Sequence, residues 1–143
     1  MSTHAMELAY RLSDRLLRLS GGRAWPSREN IYRGHVERRD EQFTYFRAGG
    51  AILRCPAVEG DFSVAVLPLD DVIISSSPIS SSARNQLEGT VARIEPEGAL
   101  LRLTVDCGLP VQALITGAAA AELGMEVGRS CMVAFKASAV RLY

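Results

Sequence analysis

The sequence predicts a mainly β protein: two tandem small OB-like barrels, preceded by one amphipathic helix and with a short helix inserted in the second barrel. Three observations carry that prediction. Beyond Pro26 the apolar stretches are short runs closed off by Gly, Pro, Asp or Ser, which is the pattern of strands and turns. The runs fall into two sets that repeat one another. Helical periodicity is confined to two places, one ahead of the strands and one inside the second set.

The elements follow in order. From Ala5 to Leu19 the side chains of Leu8, Leu12, Leu16 and Leu19 fall on one helical face, Arg and Asp take the other, and Gly21-Gly22 ends the helix. The runs IYRGHVE, FTYFR, AILRC, FSVAVL and DVIIS then read as strands. A Ser-rich connector, SSSPISSS from Ser75 to Ser82, separates them from a second set: LEGTVARI, LLRLTVD, VQALIT, CMVAFK and AVRLY. Only GAAAAELG, Gly117 to Gly124, breaks the pattern. Thr116 is a good N-cap, the alanines favour helix and Gly124 is a good C-terminal stop.

The repeat is visible in spaced residues. Asn30-x-x-x-Gly34-x-Val36 recurs as Asn85-x-x-x-Gly89-x-Val91, an offset of 55, and SVAVLPLDDVIIS from Ser63 lies without gaps on CMVAFKASAVRLY from Cys131, an offset of 68. The difference of about 13 residues is close to the length of the inserted helix with its turns.

Composition narrows the function. Lys+Arg and Asp+Glu balance at 16 each in 143 residues, so there is no sign of an extended nucleic-acid surface, and any anion site must be local. Cys55, Cys107 and Cys131 are odd in number, far apart and free of C-x-x-C spacing. They read as buried or idle thiols in a reducing cytosol, not as disulfides or zinc ligands. No metal site is expected. No run approaches the roughly 20 apolar residues of a membrane span, and no signal-peptide core opens the chain, so a cytoplasmic location is expected.

Several groups have simple readings. His35 sits inside a strand pattern and reads as structural. Arg38-Arg39 followed by Asp40-Glu41 reads as a solvated, self-compensating turn. Trp25, Tyr32, Phe43, Tyr45 and Phe46 read as core and interface aromatics, with few cations interleaved as a base-stacking platform would need. Cys107 and Cys131 read as small core residues on strands.

The repeats differ where chemistry is possible. The first has Glu29 where the second has Arg84, Pro68 where it has Lys136, and Asp70 where it has Ser138. Ser82, Arg84, Thr116, Lys136 and Ser138 are hydroxyls and cations at strand ends and a helix start, a donor set suited to a small tetrahedral oxyanion. No acid/base pair or activated nucleophile accompanies them. The alternative from spacing alone is that Ser82 and Thr116 are caps, and Arg84 and Lys136 solvated strand-end charges.

Three motifs in order, SARNQLEGTV, ITGAAAAELGMEVG and VAFKASAVRL, closely resemble the molybdate/tungstate-binding Mop family of TOBE domains over about residues 80–143. The resemblance implies an OB-like barrel that holds molybdate or tungstate between two copies. Its S-A-R-N and K-x-S segments correspond to Ser82 and Arg84, and to Lys136 and Ser138, with Thr116 in the I-T segment. One departure is plain: Ala118, Ala119 and Ala120 stand where family members often carry a hydroxyl after that Thr.

Upstream, STHAMELAYRLSDRLLRLSGGR is similar to the end of ABC-transporter ATPase domains, from the switch histidine onward, and PSRENIYRG resembles their junction with a C-terminal regulatory domain. By that resemblance His4 is the switch histidine, inactive here because the G-x-x-x-x-G-K-[ST] loop, the signature motif and the Walker B strand are absent. The expected organisation is an ATPase-domain tail over 1–25, a degenerate TOBE-like repeat over 26–79 and a Mop-like oxyanion-binding repeat over 80–143.

The function this implies is that of a non-enzymatic molybdate or tungstate sensor in an importer's ATPase subunit, needing no cofactor and acting as a homodimer or higher oligomer. In such a parent, ATP and a membrane permease are the further partners. A free-standing oxyanion storage or buffering protein is one alternative. The sensor half of a molybdate-responsive transcription regulator is another, disfavoured by the lack of a winged-helix pattern and of net basic charge.

Overall fold

The computed structural model describes residues 28–143. The helix read over Ala5–Leu19, together with His4 and Trp25, lies outside the described residues. The first repeat contains β1 (Glu29–Arg33), β2 (His35–Arg39), β3 (Phe43–Ala48), β4 (Ala51–Pro56), β5 (Val64–Pro68) and β6 (Ile73–Ser75). The second contains β7 (Asn85–Glu97), β8 (Leu100–Asp106), β9 (Pro110–Thr116), α1 (Gly117–Leu123), β10 (Ser130–Phe135) and β11 (Arg141–Leu142). A 3-10 turn follows β5 at Leu69–Asp71, and another follows β10 at Ala137–Ala139. The fold is mainly β, as expected, and α1 is capped as the sequence implies. The Thr116 hydroxyl accepts from Ala119 N–H at 3.0 Å, and Gly124 takes the left-handed conformation at φ 63°.

Each strand run read from the sequence is a strand, with one difference. IYRGHVE is split at Gly34 into β1 and β2, which belong to different sheets. The cause is a close crossing: a Cβ on Gly34 would stand 1.9 Å from the Arg47 carbonyl oxygen, so only glycine lets the backbone pass. Its counterpart Gly89 is crowded in the same way, with the Asp106 carbonyl oxygen and Cys107 Sγ each 2.6 Å from a Cβ, yet β7 continues through it. Two positions beyond each glycine the ladder slips, between Val36 and Arg38 and again between Val91 and Arg93. The bend and bulge that curl each repeat are therefore encoded twice.

Three antiparallel sheets result, in the orders β1-β5-β11, β2-β3-β4 and β6-β10-β7-β8-β9. The first and last are built from both repeats. β6 leaves the first repeat to pair with β10, setting Ile74 against Val133 and Ile73 against Ala134. β11 leaves the second to pair with β5, setting Leu142 against Ala65 and Arg141 against Val66. Shifted by the 68-residue offset these are the same pairs, so the repeats exchange their final strands reciprocally.

The exchange is reinforced by side chains. Asn30 donates to the Gln112 carbonyl at 3.0 Å and accepts from Gln112 N–H at 2.8 Å, while Asn85 makes the same two bonds to Arg54, at 2.9 and 2.8 Å. Gln112 lies opposite Thr104 on the neighbouring strand, and Arg54 opposite Tyr45. Each buried asparagine thus acts as a one-residue strand against the equivalent position of the other repeat. One apolar cluster spans both halves, including Phe46, Leu53 and Leu67 from the first and Val91, Leu103 and Phe135 from the second. Burying such side chains contributes about 1.5–3 kcal/mol each. Among the described residues neither repeat has a core of its own.

Two simple readings need correction. His35 is exposed on β2, opposite Arg47, because the outer face of that edge strand points to solvent. Cys107 follows β8 in a turn and is half-buried, whereas Cys131 is a buried strand residue as read. Burial pushes the Cys55 and Cys107 thiols up to about 12, so both are protonated at neutral pH. The described aromatics pack into the fold: Phe46 is fully buried, Tyr32 and Tyr45 are buried, and Phe43 packs edge-on to Tyr45 with centroids 6.0 Å apart.

Candidate functional site

The S-A-R-N segment is pinned by its alternate residues. Ala83 and Asn85 are buried, Asn85 through its bonds to Arg54, so the chain between and before them turns Ser82 and Arg84 outward. Ser81 tightens the approach by accepting from Ala83 N–H at 3.1 Å. The same alternation governs the K-x-S segment. Ala137 and Val140 are buried while Lys136 and Ser138 are exposed, and Ala139 N–H closes the turn on the Lys136 carbonyl at 3.1 Å.

These segments are neighbours because β7 and β10 are paired. The ladder ends with Asn85 opposite Phe135, and Arg84 and Lys136 are the next residues beyond it on the two segments. Ser82, Arg84, Lys136 and Ser138 are therefore exposed on two segments that leave the same end of that ladder. In the single chain Arg84 folds back, its Nη2 donating to the Ser81 carbonyl and its Nε to that of Ser82 at 3.3 Å.

Thr116 is not brought to this group within one chain. It pairs with Leu100 at the end of β9, and Leu100 pairs with Glu97, at the opposite end of β7 from Arg84. Its hydroxyl is occupied as the cap of α1. His4 lies outside the described residues. Among those residues no group of three or more His, Cys, Asp or Glu could hold a metal, and no helix is long and apolar enough to cross a membrane.

The corresponding end of the first repeat has the opposite character. Glu29 is paired with Pro68, and Asp70 sits 3.7 Å from the Arg28 guanidinium as an exposed ion pair. Asp71 adds a second carboxylate to the same turn. An anion arriving there would meet negative charge.

Sequence reading missed two side chains near the second-repeat group, both in the first repeat. Arg54 donates from Nη1 to the Arg84 carbonyl at 3.3 Å, and the Arg38 guanidinium lies over the Tyr45 ring, 3.8 Å from its centroid. With Arg84 they line an open cleft of about 520 Å³ between the repeats. Arg38 and Arg39 end β2, and with Asp40 and Glu41 they are exposed, as expected of a solvated turn. The turn is also tied down: Asp40 accepts from Gln42 N–H, Phe43 N–H and the Tyr45 hydroxyl at 2.8, 2.7 and 2.8 Å. The hydrogen bond from Tyr45 and those from the backbone hold the Asp40 carboxyl below its ordinary range. The signal that could have found the cleft was the repeat itself, since positions equivalent to Arg54 and Arg84 are uncharged or acidic in the other copy.

Comparison with known proteins adds the following. Residues 81–142 match the TOBE domain family. The chain is 37% identical over 98 residues to the molybdate/tungstate import ATP-binding protein WtpC of Pyrococcus abyssi, covering 67% of this chain and 28% of that protein. It is 32% identical over 117 residues to the protein of the same name from Pyrococcus horikoshii, covering 80% of this chain and 32% of the relative. The chain thus spans about a third or less of the length of these curated relatives. Among solved structures, the cytoplasmic molybdate-binding protein ModG, crystallised with molybdate bound, superposes with a TM-score of 0.65 at 27% identity, covering 79% of this chain and 94% of that one. The stretch that carries Arg84 and Lys136 thus matches the TOBE domain family, and the chain is similar to molybdate/tungstate import ATP-binding proteins and to ModG.

Proposed function

We propose that this chain binds molybdate or tungstate and serves as the regulatory sensing part of an ABC importer's ATPase subunit in the cytoplasm. The observation that carries the reading is the exposure of Ser82, Arg84, Lys136 and Ser138 on two segments that leave the same end of a ladder, in a stretch that matches the TOBE domain family and a chain of zero net charge. Two cations and two hydroxyls fit one face of a tetrahedral dianion. All four are exposed, so one chain offers a half-site and a second copy closes it, with Thr116 a candidate ligand from that side. The assembly is then at least a homodimer, bound anion favours one arrangement of it, and transport slows when cytoplasmic oxyanion accumulates. The ATP and the permease belong to the parent importer, and the part described here performs no chemistry.

Titration calorimetry with molybdate, tungstate and sulfate tests this. Arg84→Ala and Lys136→Ala are each expected to weaken molybdate or tungstate roughly thirty- to a thousand-fold with folding unchanged. Parent-like binding by either variant refutes the site, and a monomer by light scattering that still binds tungstate tightly refutes the interface.

A second reading is favoured by one observation, the likeness in fold to the cytoplasmic molybdate-binding protein ModG, at a TM-score of 0.65. In that reading the chain is a free-standing oxyanion buffer. Loss of the chain would then lower the cell's retained molybdate without altering the rate of import.

A further inference from the structure

The cleft between the repeats gathers three guanidinium groups, Arg38, Arg54 and Arg84, and none of them is in an ion pair among the described residues. Arg38, Tyr45 and Arg54 lie opposite one another on the adjacent strands β2, β3 and β4, and Asn85 fastens Arg54 to the segment bearing Arg84. No carboxylate lines the cleft among the described residues. The described ion pairs use Arg28, Arg47, Arg93 and Arg102, none of which lines it. Glu37 and Asp40 feel the charge of Arg38, but Glu37 is bonded to Arg47 and Asp40 to its own turn.

The fold does not require this concentration of charge. The equivalent row in the second repeat is Arg93, Thr104 and Gln112, and the residue corresponding to Arg84 is Glu29. Three positive charges on one side of the molecule thus face one positive, one neutral and one negative residue on the other, on the same strand ladder. Like charges so placed repel one another, and an anion relieves that cost.

We propose that the cleft binds an anion of two or three linked tetrahedral groups, of the diphosphate or triphosphate class. Arg38 and Arg54 stand two strand spacings apart, roughly 10 Å at the backbone, a span for linked groups rather than for one. The volume of about 520 Å³ likewise exceeds the need of a single small oxyanion. Tyr45 holds Arg38 in place, and the bond to the Arg84 carbonyl holds Arg54, so little ordering remains for the anion to impose. Lys136 does not line this cleft, so the two readings share Arg84 and differ in their other cations, Arg38 and Arg54 here and Lys136 for molybdate.

Calorimetry at low ionic strength with inorganic triphosphate, diphosphate and orthophosphate tests it. Triphosphate is expected to bind about tenfold or more tighter than orthophosphate, and Arg38→Gln and Arg54→Gln each to weaken it by about tenfold. Arg93→Gln and Lys136→Gln leave it unchanged. Comparable affinity for ATP assigns a nucleotide's phosphate tail as the source, and much weaker affinity assigns the free inorganic anion. Parent-like triphosphate binding by Arg54→Gln overturns the proposal, as does an equal loss in Arg93→Gln, which would mark diffuse attraction. If Lys136→Gln abolishes triphosphate and molybdate binding together, the two sites are one and the proposal also fails.

Discussion

The first repeat carries Glu29, Pro68 and Asp70 where the second carries Arg84, Lys136 and Ser138, yet both keep the Asn, the Gly and the Val of the shared motif. Those three common residues clamp the opposite repeat, let the backbone cross and fill the region of the core. Of the divergent ones, Asp70, Arg84, Lys136 and Ser138 are exposed, and Glu29 and Pro68 are half-buried at the end of a ladder. What the halves share therefore builds the molecule, and what they do not share is available for ligand chemistry.

Substitution can break that division, beginning with the largest effect. Gly34→Ala forces a Cβ to within 1.9 Å of a backbone oxygen, and is expected to cost about 4 kcal/mol or more, measured by urea unfolding. Gly89→Ala, at 2.6 Å from a backbone oxygen and a movable thiol, costs less, about 2–3 kcal/mol. The reverse order would mean that the broken and unbroken strands do not differ in strain as their geometry implies.

Next come the paired asparagines. Asn30→Ala and Asn85→Ala each strand an N–H and a C=O on the partner strand, at about 2–3 kcal/mol apiece by the same measurement. Equal losses sustain the symmetry of the two clamps, and a harmless Asn30→Ala would show that only one half is held this way. Thr116→Ala removes a single cap bond and costs about 1 kcal/mol of thermal stability, with Thr116→Ser restoring it. The smallest effect belongs to the surface pair in the first repeat. With side chains 59% and 66% exposed at 3.7 Å, Asp70→Ala shifts stability by less than about 0.5 kcal/mol.

The strands, the helix with its two caps and the repeat were legible because each leaves a local signature, in periodicity or in residues at fixed spacing. The exchange of β6 and β11 was not, since Ile73–Ser75 reads identically as a strand whichever neighbour it joins. The split at Gly34 escaped notice for a related reason. The residue that forbids a side chain there, Arg47, is remote in sequence and announces nothing. At the candidate site, SARN and K-x-S could be found as motifs, and register then made them neighbours. Arg38 and Arg54 carried no motif, and only the folded ladder sets them in a row beside Arg84.

Strand exchange also imposes an order on synthesis. Ala65 and Val66 sit mid-sheet, and their second neighbour is β11, with Tyr143 completing the edge through Ser63 N–H and Val64 N–H at 2.9 and 3.0 Å. A ribosome releases the first repeat long before it releases those residues, at about 5–20 residues per second. Until then β5 has one flank open, and the half that emerges first waits with an unpaired apolar edge for the half that emerges last. The nascent chain thus meets its greatest exposure to wrong partners while it is being made, a hazard that ends only when residues 141–143 clear the exit tunnel.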